Sequence, residues 1–288
     1  MKRRFLVRPE EAGIGLLIYL RDRCPEAPSV KAIKRAIDGR ACMVNGKAEW
    51  FSTYPVRRGD RIELDLTSCY AERKPLLVLY EDEQLLVVDK PSGMVSDDRD
   101  VSRLLPGNVL VNRLDKGTSG VLLLARSPQV KEQMKELFLK LLVRKSYLAV
   151  VDGAVTEEGG EIDNFLGAKP QLIGGQTVYG RMKNGRRAIT RWTCIGRNRN
   201  ASLVSCQPIT GRTHQLRVHF SEMGHPILGD TQYGKQFVCG FVPPRLLLHS
   251  QSIAFPHPVT GHEVAVSAPL PEEFEAAAVS LNFLQLLA

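Results

Sequence analysis

A polar loop that runs directly into an apolar stretch is the most constraining feature of this chain. The loop covers residues 113–120, with the sequence Arg-Leu-Asp-Lys-Gly-Thr-Ser-Gly, and the apolar residues 121–125 follow it at once. A short apolar run bounded by Gly and by Arg-Ser-Pro is typical of a buried strand. Such a strand holds the side chains of the preceding loop rigidly, as a catalytic carboxylate requires. Asp115 is therefore a candidate catalytic residue, and the alternative is an aspartate that caps a turn.

Basic residues are concentrated near the amino terminus. Residues 1–75 hold 16 Lys and Arg against 10 Asp and Glu, which gives +6 of the chain's net charge of +8. A small basic module joined to a nearly neutral larger one is typical of proteins that act on a polyanion. The simpler alternative is a basic surface that only keeps the protein in solution.

The composition excludes several classes of protein. No apolar run approaches the length that spans a bilayer, and the basic start continues into Arg8, Glu10 and Glu11 rather than an apolar signal sequence. We therefore expect a cytoplasmic protein with no membrane partner. The six cysteines form no Cys-x-x-Cys pair, and the six histidines lack zinc-binding spacing. We therefore expect neither a metal nor a disulfide framework.

Two helices are predicted near the amino terminus. Residues 10–23 indicate a helix with an acidic first turn and a basic last turn. A second helix begins after Ser29, a good N-cap, and ends at Gly39. Its apolar positions Val30, Ile33 and Ile37 share one face, whereas its basic residues project elsewhere. A basic helix face of this kind is, in most proteins, simply a solvated surface.

A hairpin signal at Asn45-Gly46 completes a small module of residues 1–68. Together with the basic second helix, this module resembles the S-four-type RNA-binding domain, which is named after a ribosomal small-subunit protein. The resemblance implies that the second helix, through Lys34 and Arg35, holds structured RNA by its phosphates with little reading of sequence.

The rest of the chain predicts a second, larger domain. Residues 69–75 lack apolar periodicity and end in proline, so they are the predicted linker to a domain over residues 76–288. Residues 152–187 are rich in Gly, Lys and Arg and predict long hairpin loops. Residues 210–220 predict a strand with one face lining a pocket, because their polar side chains are too many for a buried core.

The larger domain carries several short motifs in a fixed order. They are Arg113-Leu114-Asp115 with Thr118-Ser119-Gly120, then Lys145-Ser146-Tyr147, then Thr210-Gly211-Arg212-Thr213-His214-Gln215-Leu216-Arg217-Val218-His219, and finally Gly229-Asp230 with Tyr233-Gly234. In this order they resemble the pseudouridine synthases of the RluA type, which isomerise uridines in structured RNA. The resemblance implies an α+β fold with a mixed, mostly antiparallel central sheet flanked by helices and loops.

The same resemblance implies roles for individual residues. Asp115 is the catalytic carboxylate at the anomeric carbon, and Arg217 is the guanidinium that favours its ionised form. Tyr147 packs its ring on the uracil, and its phenol is placed to help move a proton at the end of the reaction. Arg113 fills the space that the extruded base leaves, and Leu216 forms a wall of the pocket.

Two positions depart from the family pattern. Asn112 stands where the family usually has histidine, and Gly117 stands where it usually has an acidic residue. Neither position holds the reacting carboxylate, so we expect activity to survive. His214, His225 and Asp230 are expected to hold the pocket loops by hydrogen bonds rather than to take part in the reaction.

The isomerisation implied by the resemblance needs no cofactor, because no group or electron enters or leaves. The implied partner is structured RNA, with large-subunit ribosomal RNA favoured by the amino-terminal module, and we expect a monomer. Transfer RNA is an alternative substrate. Two other hypotheses stay open at this point. One is an RNA-binding protein that keeps the fold without catalysis, and the other is a nucleosidase that uses an aspartate at an anomeric carbon.

Overall fold

The computed structural model of the chain describes residues 1–49, 51–70, 75–173, 176–234 and 236–286. Residues 71–74 of the predicted linker lie outside these ranges, and the first two linker residues belong to a short helix. The chain divides into two units, Met1–Pro75 with Gln171–Thr177 and Leu76–Pro170 with Val178–Ala288. Each unit has a hydrophobic core of its own.

The first unit contains a four-stranded antiparallel sheet and three helices. Its strands are β1 (Lys2–Leu6), β2 (Cys42–Val44), β3 (Lys47–Ala48) and β4 (Arg61–Asp65), in the order β1-β4-β2-β3. Its helices are α1 (Leu16–Arg21), α2 (Val30–Asp38) and α3 (Thr67–Tyr70). The predicted start of α2 is confirmed, because the Ser29 hydroxyl accepts the Ala32 N–H at 3.1 Å. Ile33 and Ile37 are buried as predicted, whereas Val30 is exposed.

The helix predicted over residues 10–23 is interrupted. Pro9–Glu11 forms a short 3-10 helix, and α1 begins only at Leu16. Ala12 and Gly15 both have extended backbones, with ψ of 138°. The charged ends of the predicted helix therefore lie on two separate pieces of chain.

The second unit is built on an eleven-stranded sheet. Its strands are β5 (Leu77–Glu81), β6 (Leu85–Lys90), β7 (Val109–Leu110), β8 (Ser119–Ala125), β9 (Arg144–Asp152), β10 (Gly159–Ile173), β11 (Gln176–Arg181), β12 (Arg186–Arg197), β13 (Ala201–Pro208), β14 (Leu248–Pro256) and β15 (Glu263–Ser267). Its helices are α4 (Asp98–Leu104), α5 (Pro128–Leu139), α6 (Gln215–Glu222) and α7 (Glu272–Ser280), with a 3-10 turn at Leu284–Leu286. Among the ranges that the structure describes, no helix is both long and apolar enough to cross a membrane.

The sheet is mixed but mostly antiparallel, which confirms the predicted α+β class. Its strand order is β11-β10-β12-β13-β9-β14-β8-β6-β5, with β15 beside β14 and β7 beside β8. The pair β14 and β8 is parallel. The central pairs on either side of it, β14 with β9 and β8 with β6, are antiparallel.

Apolar side chains cover both faces of the central sheet. Alternate residues of β8 enter opposite clusters, Leu122 with α6 on one face and Val121 with α5 on the other. Along β9, Tyr147 lies in the cluster that contains α6, and Leu148 lies in a cluster that contains α7. Helix α6 therefore covers the sheet face to which Tyr147 points.

The region predicted as long hairpin loops, residues 152–187, is mostly strand, so that prediction was wrong. Strands β10 and β11 fill most of it, and β12 begins at Arg186. The antiparallel register of β10 and β12 is unbroken from Gly159, opposite Thr193, to Leu166, opposite Arg186. Many side chains of β10 are exposed, so the backbone ladder rather than an apolar pattern holds these two strands together.

The strand predicted over residues 210–220 was also wrong, because residues 215–222 form α6. Leu216 and Phe220, four residues apart, enter the same core cluster, as on one face of a helix. The polar side chains that suggested a strand with a pocket face are shared between this helix and the turn before it.

Candidate active site

The loop that carries Asp115 is fixed by the chain segment that follows β6. The Ser96 hydroxyl donates to the Leu114 carbonyl at 2.5 Å and accepts the Leu114 N–H at 2.9 Å. The Ser92 hydroxyl donates to the Gly117 carbonyl at 2.9 Å. These bonds hold the backbone on both sides of Asp115, so its side chain is presented from a rigid loop.

Lys90, the last residue of β6, supports the same loop from the protein interior. Its side chain is fully buried, and its ammonium donates to the carbonyls of Pro91 at 3.0 Å and Met94 at 2.9 Å. The carbonyl of Lys116 lies 3.5 Å away. Burial lowers the pKa of Lys90 to about 7, and the charge of Asp115 acts in the opposite direction. Lys90 thus supports the backbone near Asp115 through hydrogen bonds and also interacts electrostatically with Asp115.

The start of β8 is fixed by a close approach of two backbones. Gly120 lies opposite Ser250 in the parallel pair of β8 and β14, with a φ of +106°. A Cβ atom at Gly120 would lie 2.1 Å from the Ser250 carbonyl oxygen, so only glycine fits. The neighbouring Ser119 hydroxyl lies 2.9 Å from Nδ1 of His249, and this contact also joins β8 to β14.

Arg217 on α6 connects Asp115 to a buried acid. Its Nη1 donates to Asp115 Oδ2 at 3.3 Å, and its Nε and Nη2 donate to the two carboxylate oxygens of Asp230 at 2.7 and 3.0 Å. Nη2 also lies 3.1 Å from Gln232 Oε1. The Arg217 side chain is 12% exposed and that of Asp230 is 0% exposed. The bidentate pair with Asp230 fixes the guanidinium, which leaves Nη1 directed at Asp115.

The environment of Arg217 keeps it charged. Burial alone would lower the pKa of Arg217, but the hydrogen bonds and charge of Asp230, together with the charge of Asp115, raise it above its ordinary value. The guanidinium also lies over the Tyr233 ring, with Cζ 4.9 Å from the ring centroid. A fixed cation therefore lies beside the Asp115 carboxylate, with Nη1 3.3 Å from Oδ2.

Asp115 itself is only partly enclosed, with 24% of its side chain exposed. Oδ2 accepts the bond from Arg217, and Oδ1 lies 3.9 Å from Nε2 of His214. No backbone N–H of the described residues bonds to the carboxylate. The turn is closed instead by the main-chain carbonyl of Asp115, which accepts the Thr118 N–H at 3.0 Å. Within the described residues, the carboxylate of Asp115 therefore does not cap this turn.

The other predicted residues of the second unit differ in their placement. Tyr147 is 8% and Leu216 is 6% exposed, and both belong to the core cluster that contains α6. Burial raises the pKa of Tyr147 to about 12, opposed by a hydrogen bond with Ser250 and assisted by the charge of Asp115. The phenol therefore stays protonated at neutral pH. Arg113 is exposed and makes no ion pair or hydrogen bond within the described ranges.

Lys34 and Arg35 lie on α2 of the first unit, and both are exposed. The ammonium of Lys34 pairs with Asp38 at 2.9 Å, one helical turn away. The opposite side of the helix is buried through Ile33 and Ile37. The basic side chains of α2 therefore face solvent within their own unit.

The two departures from the family pattern have local structural roles. The Asn112 side-chain oxygen accepts the Leu123 N–H at 2.8 Å, which joins the loop to β8. A Cβ atom at Gly117 would lie 3.2 Å from Cβ of Leu246, so any side chain there would displace that neighbour. Neither residue hydrogen-bonds to the carboxylate of Asp115.

Sequence reasoning missed three residues around Arg217 and Asp115. Lys90 was not among the predicted site residues, although it closes an apolar run of the sequence. Tyr233 lies in a recognised motif, but its sequence gives no sign that its ring contacts Arg217. Gln232 carries no sequence signal at all.

Comparison with known proteins gives consistent matches. The family model for RNA pseudouridylate synthase matches residues 84–222. An uncharacterized RNA pseudouridine synthase of Synechocystis is 30% identical over 94% of this chain and 90% of its own length. Ribosomal large subunit pseudouridine synthase D of Xanthomonas campestris is 36% identical over 70% of this chain and 68% of its own. The solved structure of human RNA pseudouridylate synthase domain containing 4 has a TM-score of 0.59 and 26% identity, and the match covers 72% of this chain and 93% of that one.

Proposed function

Because the chain belongs to the RluA-type RNA pseudouridine synthases, we propose that it isomerises uridines of large-subunit ribosomal RNA with Asp115 as its catalytic carboxylate. The observation that carries this assignment is the contact between Asp115 and Arg217. One carboxylate oxygen is held by a buried guanidinium, and the carboxylate is otherwise partly open. Ribosomal RNA is favoured because a relative that bears the ribosomal large subunit in its name matches over most of its length.

The chemistry requires an ionised carboxylate at the anomeric carbon. The bond from that carbon to a uracil ring nitrogen breaks, the base turns, and a bond to a ring carbon forms. The proton released by the ring carbon balances the proton that the nitrogen gains, so nothing else is consumed. A carboxylate serves such a centre either as nucleophile or as base. In both modes Arg217 holds one oxygen of the Asp115 carboxylate through Nη1.

The remaining site residues receive supporting roles in this proposal. The ring of Tyr147 packs on the uracil, and its raised pKa leaves the phenol as a proton donor rather than a base. Leu216 forms an apolar wall next to that ring. The exposed Arg113, two residues before Asp115, fills the gap in the RNA stack that the extruded uridine leaves.

The proposal is tested by replacing Asp115 with asparagine, which keeps the size of the side chain and removes its charge. We expect turnover on transcribed large-subunit RNA to disappear while RNA affinity stays unchanged, because the affinity resides in phosphate contacts. Turnover is measured by site-resolved pseudouridine mapping. Retained turnover in Asp115→Asn would contradict the assignment, and free uracil in the wild-type reaction would indicate a nucleosidase.

The substrate is tested by mapping pseudouridine in ribosomal and transfer RNA from cells with and without this gene. Sites lost from large-subunit RNA support the proposed substrate. Sites lost only from transfer RNA would replace it, and no lost site together with no turnover in vitro would leave a protein that only binds RNA.

The first unit is proposed to hold the RNA through the basic face of α2. Reversing the charges of Lys34 and Arg35 to glutamate should weaken binding for every RNA sequence and flatten its salt dependence by about two phosphate contacts. The matched control reverses the charges of Lys135 on α5 and of Lys140 at its C-cap, which changes the net charge equally on the sheet face opposite α6. Equal losses in both pairs of variants would show that only net charge matters.

A further inference from the structure

His214 has a backbone conformation that few side chains adopt. Its φ of 56° and ψ of 20° are left-handed, immediately before the first residue of α6. Residues other than glycine carry strain in this region, and the strain persists where surrounding contacts require it. Although His214 is the N-cap residue of α6, its imidazole makes no capping hydrogen bond. The conformation instead directs the ring away from the helix end.

The imidazole lies between Tyr233 and Asp115. Its Nδ1 is 2.7 Å from the Tyr233 hydroxyl oxygen, and its Nε2 is 3.9 Å from Oδ1 of Asp115. The rings of Tyr179 and Tyr233 pack edge-on against it, with centroids 5.4 and 5.6 Å away. The side chain is 15% exposed. Two aromatic contacts and one hydrogen bond therefore fix the orientation of the ring.

The hydrogen bonds of Tyr233 select one tautomer of the ring. The Tyr233 hydroxyl oxygen accepts the Tyr179 N–H at 3.0 Å, and its one hydrogen is assigned to the bond with Nδ1 of His214 at 2.7 Å. Because Nδ1 accepts, the hydrogen of the neutral imidazole is on Nε2, the nitrogen that faces Asp115. Burial lowers the pKa of His214, with Arg217 acting likewise and Asp115 and Asp230 opposing, which keeps the ring neutral at neutral pH.

We propose that His214 is a positioning residue whose Nε2–H holds Oδ1 of Asp115 while Arg217 holds Oδ2. The inference rests on the proposed role of Asp115. One donor on each oxygen prevents the carboxylate from rotating about its Cβ–Cγ bond. The 3.9 Å gap closes by about 1 Å when RNA binds, since catalytic hydrogen bonds commonly tighten in the substrate complex. His214 is the N-cap of α6 and Arg217 lies in its first turn, so one small movement of the helix start serves both.

Two substitutions of His214 distinguish positioning from a purely structural role. A glutamine side chain carries its amide nitrogen about as far out as Nε2, whereas asparagine reaches only as far as Nδ1. Positioning therefore predicts that His214→Gln keeps more of the wild-type kcat than His214→Asn. A role in the backbone turn alone predicts the reverse order, because asparagine tolerates the left-handed conformation better. We expect kcat of His214→Asn to fall about 10- to 100-fold with KM nearly unchanged, as for a misplaced reacting group.

Tyr233→Phe tests the same set of contacts, from Tyr233 through His214 to Asp115, at the Tyr233 end. The variant keeps the ring that lies over Arg217 and removes the hydroxyl that selects the tautomer. We expect a loss of kcat similar to that of His214→Asn, and little further loss when the two are combined. Nitrogen-15 NMR of the His214 ring should find its hydrogen on Nε2 in the wild type and a mixture of tautomers in Tyr233→Phe. Additive losses, or an unchanged tautomer, would overturn the inference.

The matched control is His225→Asn, since the Nδ1 of His225 bonds to the Asp152 carbonyl at 2.8 Å and not to the site. Melting temperatures of all variants separate lost folding from lost turnover. If Asp115→Asn still turns over, the proposed function fails. If Asp115→Asn is inactive while His214→Asn and Tyr233→Phe match the control, only the role of His214 fails.

Discussion

Replacing Arg217 by methionine should destabilise the second unit and abolish turnover for separate reasons. Methionine fills similar space without donors, so the fully buried carboxylate of Asp230 loses its bonds from Nε and Nη2. Breaking a buried ion pair from one side costs about 3–5 kcal/mol. The N–H groups of Gln232 and Tyr233 still bond to Oδ1 of Asp230, at 3.0 and 3.1 Å. We therefore expect the lower end of that range, about 3 kcal/mol.

The double variant Arg217→Met, Asp230→Asn separates stability from catalysis. A neutral asparagine removes the unpaired buried charge, so most of the lost stability should return. Oδ2 of Asp115 remains without its guanidinium, so turnover should stay absent. Urea unfolding can be followed by the fluorescence of Trp192, which packs edge-on against Phe220 of α6 with centroids 6.2 Å apart. A background with Trp50→Phe removes the second of the chain's two tryptophans.

A matched control is Lys131→Met, which removes a cation that pairs with the exposed Asp98 at 3.8 Å. Such pairs contribute about 0–1 kcal/mol, so the unfolding midpoint should barely move. The reasoning is refuted if Arg217→Met unfolds at the same urea concentration as Lys131→Met. Turnover regained in the double variant would instead refute the link between Arg217 and the charge of Asp115.

Two other predictions concern stability. The free energy of unfolding should fall as the pH drops from about 6.5 to about 4, because burial lowers the pKa of His249 to about 4 and the unfolded state binds the extra proton first. The share of His249 in this loss reaches about 3 kcal/mol at pH 4, and burial lowers the pKa of His219 to about 4 as well. In urea titrations His249→Gln should therefore reduce this slope, whereas the exposed His262→Gln should leave it unchanged. Gly120→Ala should prevent the second unit from folding, measured by limited proteolysis, because its Cβ overlaps a carbonyl. Gly224→Ala, at a φ of +85° with open space around the added atom, should be tolerated far better, and equal damage from both would mean that backbone strain alone decides.

Features with a local cause could be predicted from the sequence. The start of α2 depends on a serine hydroxyl and an N–H three residues away, and β8 on an uninterrupted apolar run that is buried on both faces. The assignment of Asp115 combined such a local pattern with the order of motifs along the chain. Neither needed knowledge of distant contacts.

Features that depend on distant contacts could not be predicted. Helix α6 has polar residues at most positions, and its register is set by the packing of Leu216 and Phe220 against strands far away in sequence. The long antiparallel pair of β10 and β12 is held by backbone bonds, which leave no apolar signature. The hydrogen bonds that connect Tyr179, Tyr233 and His214 join three chain segments that meet only in the folded unit.

The departures at Asn112 and Gly117 bear on the loop rather than on the reaction. The side-chain oxygen of Asn112 accepts the Leu123 N–H, and a ring nitrogen of histidine could accept the same hydrogen bond. The contact between the loop and β8 is therefore kept. At Gly117 an acidic side chain would displace Leu246 and add a negative charge two residues from Asp115. Because Gly117 has no acidic side chain, no negative charge at position 117 competes with Asp115 for the guanidinium of Arg217. For this reason we expect the two substitutions to alter how the loop is supported while the isomerisation itself survives.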